Sequence, residues 1–401
     1  MAFDRAADNG SFPGALHGVR VVDLTTVVFG PYATQTLGDY GADVIKVEAP
    51  DGDSTRMTGA CVEKGMAPLF LGSNRNKRSV VLDLKTAEGR AALQALIATA
   101  DIFIHNIRPQ KLENLGLAAE ELCAANPRLI YVSLLGFGSG GPYSGKPAYD
   151  DIIQALSGAV DLNRRHAGTM RYLPTIAADK LGAQMAIHAV LAALYQRERS
   201  GRGQVVEVPM FECMVQFLMT EHYFSRHFDP LPPSNGQADE YCYPRTIDPW
   251  RRPYVTSDGH VCLMPYNDRH WQEFFSEIGK PELANDPRFR TLADRTSNIG
   301  TLLPLVEAET AGQSTAHWLA VCNRLGIPCA PVNGVADLEQ DEHLRAVRMF
   351  GEMETGADWR FRYVRFPVDM ECSQVSPRLP PRLGEHTEEV LAELSSLMAR
   401  P

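Results

Sequence analysis

Val19-Arg20-Val21-Val22-Asp23-Leu24, followed by Thr25-Thr26-Val27-Val28-Phe29-Gly30-Pro31 and then by Ala42-Asp43-Val44-Ile45-Lys46-Val47, is the most informative stretch of this sequence. The two outer runs are short, apolar and rich in valine and isoleucine, which reads as two buried strands. Residues 31–39 between them suit a helix, and Pro31 fits its first turn, where a missing N–H leaves no bond unmade. Strand, helix and strand at this spacing form a parallel pair joined by a crossover. Working outward, residues 79–83, 101–104 and 129–133 continue the strand series, with helical composition over 86–98 and 118–124. Residues 179–199 carry apolar side chains on most faces (Leu181, Met185, Ile187, Val190, Leu191, Leu194), the mark of a buried helix. It stops at Ser200-Gly201-Arg202-Gly203, and residues 204–208 alternate like a strand. The expectation is an α/β fold with a Rossmann-like, doubly wound sheet.

The pattern breaks near residue 226, where proline, aromatic and arginine residues crowd together up to residue 256. Beyond it, a strand at 261–264 and helices at 268–278, 298–308 and 315–324 suggest a smaller α+β domain. The expected layout is a large domain over 1–225, a small domain with its linkers over 226–325, and a return to the large domain over 326–401. That return holds a proline-rich tail at 377–381 and a last helix at 387–397. A chain of 401 residues agrees with two cores rather than one.

Composition narrows the function. With 44% hydrophobic and 22% charged residues, the chain has globular character. A net charge of -10 opposes bulk neutralisation of phosphates, so no nucleic-acid partner is expected. The start, MAFDRAADNG, shows no basic segment leading into an apolar run, and no apolar stretch approaches the length that crosses a bilayer. A cytoplasmic protein without a membrane partner is expected. Eight cysteines without a Cys-x-x-Cys pair, and histidines without paired spacing, give no reason to expect a metal.

Doubly wound sheets bind ligands at the carboxyl ends of their strands, which makes Thr25 to Pro31 a candidate loop. It lacks Gly-x-Gly-x-x-Gly, and the chain has no Gly-Lys-Ser/Thr loop, so neither a dinucleotide nor a nucleoside triphosphate fits. Asn74-Arg75-Asn76-Lys77-Arg78 concentrates groups that suit phosphate or adenine, or that form a solvated loop. Asp179, at the start of the apolar helix, reads either as an N-cap or as a carboxylate held ionised by the helix dipole and able to attack a thioester. The turn from Gly136 to Pro142 offers backbone amides to an oxyanion, or is a flexible turn.

These blocks, in order, resemble the class III CoA-transferase family (formyl-CoA transferase and alpha-methylacyl-CoA racemase-like, CaiB/BaiF type). The resemblance runs through the Leu16 to Leu24 stretch, Gly30-Pro31, residues 37–48 and Asn74 to Ser79. It continues through residues 100–109, Ser157-Gly158, Asp179, residues 200–204, residues 326–332 and Leu383 to Thr387. It implies an interlocked homodimer, no permanently bound cofactor, and coenzyme A or acyl-CoA as substrate, with a carboxylic acid as acceptor. Asp179 corresponds to the family's catalytic aspartate. Thr26, Val27 and Val28 resemble its CoA-binding loop, and Lys77, Asn106 and Lys146 resemble positions that contact CoA. Asn74, Arg75, Arg78, Arg108, Tyr149 and Asp150 complete the expected ligand-binding set. Ala49 and Asn114 stand where the family carries basic residues, and Arg75, Arg78 or Arg108 could take over. The racemases of the family use a histidine where Tyr149 stands, and a supporting glutamate where Asn267 stands. Tyrosine is a poor base near neutral pH, so CoA transfer is expected over racemisation. Arg164, Arg165 and Arg171 are candidates for a second substrate carboxylate. A CoA-binding protein without turnover and a CoA hydrolase complete the readings.

Overall fold

The structure, a computed structural model, describes residues 13–231 and 241–398. The amino-terminal decapeptide and Pro232-Pro233, on which part of the sequence reading rested, lie outside the described residues. The chain forms two compact units: residues 1–156, 175–215 and 343–401 make the first, and residues 157–174 and 216–342 the second. The second unit is thus wider than the expected 226–325 and takes in residues 157–174.

The first unit is built on six parallel strands: β1 (Arg20–Leu24), β2 (Asp43–Glu48), β3 (Lys77–Val81), β4 (Ile102–His105), β5 (Ile130–Leu135) and β6 (Val205–Pro209). Their order is β3-β2-β1-β4-β5-β6, so the chain reverses direction across the sheet between β1 and β4. This is the doubly wound arrangement expected from the sequence, and its switch point lies at the carboxyl ends of β1 and β4. Val22, Ile45, Val80, Phe103 and Tyr131 build one core with Leu93, Leu96 and Ile97 of the Ala87–Ala98 helix. β3 begins at Lys77, two residues earlier than expected, so Lys77 and Arg78 belong to a buried strand instead of a loop.

Two close approaches fix the neighbourhood of the switch point. A Cβ on Gly30 would lie 2.2 Å from Cβ of Thr25, so only glycine lets the Phe29–Asp39 helix start against the end of β1. A Cβ on Gly182 would lie 2.8 Å from the Phe29 ring, which ties the Ala177–Ser200 helix to the same place. The first unit ends with an antiparallel hairpin, β10 (Phe350–Ala357) and β11 (Trp359–Val364), and the Thr387–Met398 helix. In the second unit a three-stranded antiparallel sheet, β7 (Tyr254–Thr256), β8 (Gly259–Leu263) and β9 (Cys329–Pro331), packs with three helices. Those helices are Asp268–Glu277, Ile299–Thr310 and Thr315–Leu325. No described helix is long and apolar enough to cross a membrane.

Candidate active site

A cavity of about 240 Å³ opens where β1, β4 and β5 end. Thr26, Val27, Asn106, Arg108, Lys146, Tyr149 and Asp179 line it, together with Phe29, Met210 and the 134–137 segment. Seven of the thirteen residues expected from the sequence therefore meet in one place.

The first loop is held rigidly. Both amide atoms of Asn106 grip Thr26: its Oδ1 accepts from Thr26 N at 3.1 Å, and its Nδ2 donates to Thr26 O at 2.8 Å. Asp53 accepts from Val27 N at 3.3 Å. Lys46, fully buried, donates from Nζ to Thr25 O and to Asp53 Oδ2, each at 2.9 Å. These bonds keep Val27 at a φ of 72°, a region that costs a β-branched residue strain and is tolerated where the surroundings enforce it. Val28 is buried beneath the loop. Lys46 and Asp53 were not singled out from the sequence. Their signal is a lysine inside a strand with no exposed face, which must find a carboxylate.

Asp179 is the only carboxylate among the residues lining this cavity. It lies in the first turn of the Ala177–Ser200 helix, whose N-cap position is Ile176, so Asp179 is not the cap. The capping is done from outside. Asp150, buried at the start of the Asp150–Leu156 helix, accepts from Ala178 N at 2.7 Å and from Asp179 N at 3.3 Å. Its other oxygen accepts from Gln154 Nε2 at 2.6 Å, and Gln154 also donates to Thr175 O. Asp150, expected to face the ligand, instead spends both oxygens on the protein. The Asp179 carboxyl has no hydrogen-bond or ion-pair partner among the described residues. Burial, and next the negative charge of Asp150, push its pKa up to about 7.

The basic segment has another role. Lys77 Nζ donates to Asp23 Oδ2, Pro31 O and Asn74 Oδ1 at 2.8 to 3.1 Å, with no face left for a phosphate. Asn74 also donates to Phe70 O. Arg75 holds Asp39 through two bonds at 2.9 and 2.6 Å. Arg78 joins Asp43, Glu389 and Glu393, tying the last helix to β3. The structure therefore replaces four expected ligand contacts with internal ones: the positive groups are buried, and the chain supplies their counter-charges. Likewise Gly138 N and Ser139 N, proposed for an oxyanion, donate to Glu212 and Glu207. Arg164 and Arg165 both hold Asp161.

A carboxyl without partners, in a small chamber with Arg108 and Lys146 at its wall, can act as a nucleophile towards an acyl group carried by an anionic ligand. The sequence model of CoA-transferase family III matches residues 16–387. The chain belongs to that family. It is a CoA-transferase. The transferase is 32% identical over 390 residues to a protein of Agrobacterium fabrum named succinate--glutarate CoA-transferase, covering 95% of this chain and 96% of that one. It is 37% identical over 327 residues to an acetyl-CoA:oxalate CoA-transferase of Acetobacter aceti, covering 81% and 82%. Among solved structures, a CAIB/BAIF family protein from Brucella suis superposes with a TM-score of 0.78 at 33% identity, covering 96% of this transferase and all of that chain.

Proposed function

We propose that the transferase moves CoA from an acyl-CoA to a carboxylic acid through covalent intermediates on Asp179. A carboxylate oxygen of Asp179 attacks the thioester carbonyl and expels the CoA thiolate, leaving an aspartyl–acyl anhydride. The thiolate attacks the aspartyl carbonyl, the bond to the acyl carboxylate breaks, and the donor acid departs from an aspartyl-CoA thioester. The acceptor carboxylate then attacks that thioester and the sequence runs in reverse, returning Asp179. Arg108 and Lys146 would meet the phosphates of CoA, which is much larger than the cavity and must extend beyond it. This reading rests on one observation: among the described residues Asp179 is the only carboxylate lining the cavity, and its carboxyl has no hydrogen-bond or ion-pair partner there.

Racemisation needs a second acid or base, and among the described residues no histidine lines the cavity. His105, at the end of β4, is buried against Ser133 and Ile107 N, and burial pushes its pKa down to about 4. The names of the relatives make dicarboxylates such as succinate and glutarate the first acids to try. The reading includes a cytoplasmic homodimer of interlocked chains. Exposed Ile152, Leu156 and Tyr195 in the first unit are apolar surface that a second copy would cover.

The test is mass spectrometry of the protein incubated with succinyl-CoA, glutaryl-CoA and acetyl-CoA and trapped with hydroxylamine. The expected result is a modified Asp179 peptide that is absent in Asp179→Ala. No modification with any donor, together with α-deuterium exchange in D₂O, would replace transfer by racemisation.

A further inference from the structure

The second unit contains a cavity of its own, of about 110 Å³, lined by Arg245, Tyr254, Tyr266 and Trp271 and by apolar residues that include Leu263 and Leu302. Arg245, on the short Pro244–Ile247 helix, is half-buried, yet its guanidinium has neither a hydrogen bond nor an ion pair among the described residues. Tyr254 is only 7% exposed, and its hydroxyl also has no partner among them. Two carboxylates act on Tyr254, and both are committed elsewhere. Glu307 is held by Arg252 at 2.6 Å, and Asp248 accepts from Trp250 N at 2.8 Å. Burial raises the Tyr254 pKa, so the hydroxyl stays protonated and is a donor.

A partly desolvated guanidinium beside an unused hydroxyl is costly unless an acceptor completes it. A carboxylate does so best, because its two oxygens match the arginine fork. The rest of the wall is largely apolar, with Thr296 and with Arg295, whose guanidinium is already held by Phe289 O and Asp268, and the volume holds several water-sized groups, far fewer than an acyl-CoA. We propose that Arg245 and Tyr254 form a binding site for a short-chain aliphatic carboxylate within the second unit, with the alkyl chain against Leu263, Leu302 and Trp271. The choice of ligand rests on the transferase reading, in which carboxylic acids are co-substrates, whereas the unpaired donors do not depend on it. None of these residues lines the Asp179 cavity.

The experiment uses the full chain labelled with 5-fluorotryptophan, with the Trp271 resonance assigned through Trp271→Phe. Butyrate is expected to shift that resonance saturably. The apparent Kd should weaken about tenfold in Arg245→Gln and about threefold in Tyr254→Phe, and stay unchanged in Asp179→Ala. Arg245→Lys, which keeps the charge without the fork, should fall between wild type and Arg245→Gln. An unmoved Trp271 resonance, an equal shift in folded Arg245→Gln, or the same shift with 1-butanol would overturn the proposal. Absence of an Asp179 adduct would sink the covalent mechanism and leave this titration unaffected.

Discussion

Two charged regions of the first unit were both expected to meet the substrate, and they behave in opposite ways. The segment from Asn74 to Arg78 is crowded with basic and amide groups, and the protein completes nearly all of them: Lys77 with Asp23, Arg75 with Asp39, Arg78 with Asp43 and two glutamates. Asp179 is a lone carboxyl, and no described residue pairs with it. Burial opposes the charged form in both places, but in the first the Coulomb energy of the ion pairs offsets it. In the second no described partner offsets it, and the pKa rises to about 7. What separates a structural charge from a chemical one here is whether its partners come from the chain.

The largest test of this contrast is removal of Asp179. Asp179→Ala should lower kcat/KM by about a thousandfold or more in a CoA-transfer assay, because it removes the proposed attacking atom. Stability should move the other way. The Asp179 pKa is raised from 3.8 to about 7, so the protonated form contributes stability that is complete below about 3.8 and lost as pH rises through about 7. Asp179→Asn should therefore raise unfolding free energy by about 1–2 kcal/mol at pH 8, and change little near pH 4, in denaturant titrations.

Lys77→Met examines the other side. It leaves the fully buried Asp23 carboxylate without its main counter-charge and should cost about 3–5 kcal/mol of stability. If urea midpoints stayed put while CoA affinity collapsed, Lys77 would be a ligand contact and the contrast would break.

A finer measurement concerns Asp150, which takes the helix amides that would otherwise stabilise a charge on Asp179. For the free enzyme, kcat/KM should rise with pH to a plateau above about 7, as Asp179 ionises. Asp150→Asn removes a negative charge beside Asp179 and should move that limb down by about one pH unit, at about 1 kcal/mol of stability for a weaker cap. An unmoved limb would mean that burial alone sets the reactivity of Asp179.

The smallest effects belong to the exposed cations. Arg108→Ala and Lys146→Ala should each raise KM for the acyl-CoA about three- to tenfold with little change in kcat, and salt should narrow the difference. Lys146 lies 4.3 Å from the Tyr143 ring centre, so part of its loss would be a lost cation–π contact.

The sheet was legible because its signals are local and redundant. Val21, Val22, Val44 and Ile45 announce buried strands, and parallel strands with crossover helices have few alternative layouts. Lys46 was not legible, because its value lies in reaching Thr25 O and Asp53 across the sheet, contacts that no periodicity encodes. The amides of Gly138 and Ser139 looked free because glutamates 68 and 74 residues away are invisible to a local reading. Arg245 drew no notice because isolation in space leaves no mark in sequence.

The sequence alone determined the doubly wound sheet, the loop that follows β1, and Asp179 as a carboxylate at the start of a buried helix. Those properties follow from hydrophobic period and chain direction, which neighbouring residues impose on one another. Only the tertiary structure decided which charges are spent and which remain. Electrostatic partnership depends on distances of a few ångströms between residues far apart in the chain, so Lys77 became part of the core while the Asp179 carboxyl stayed unpaired among the described residues.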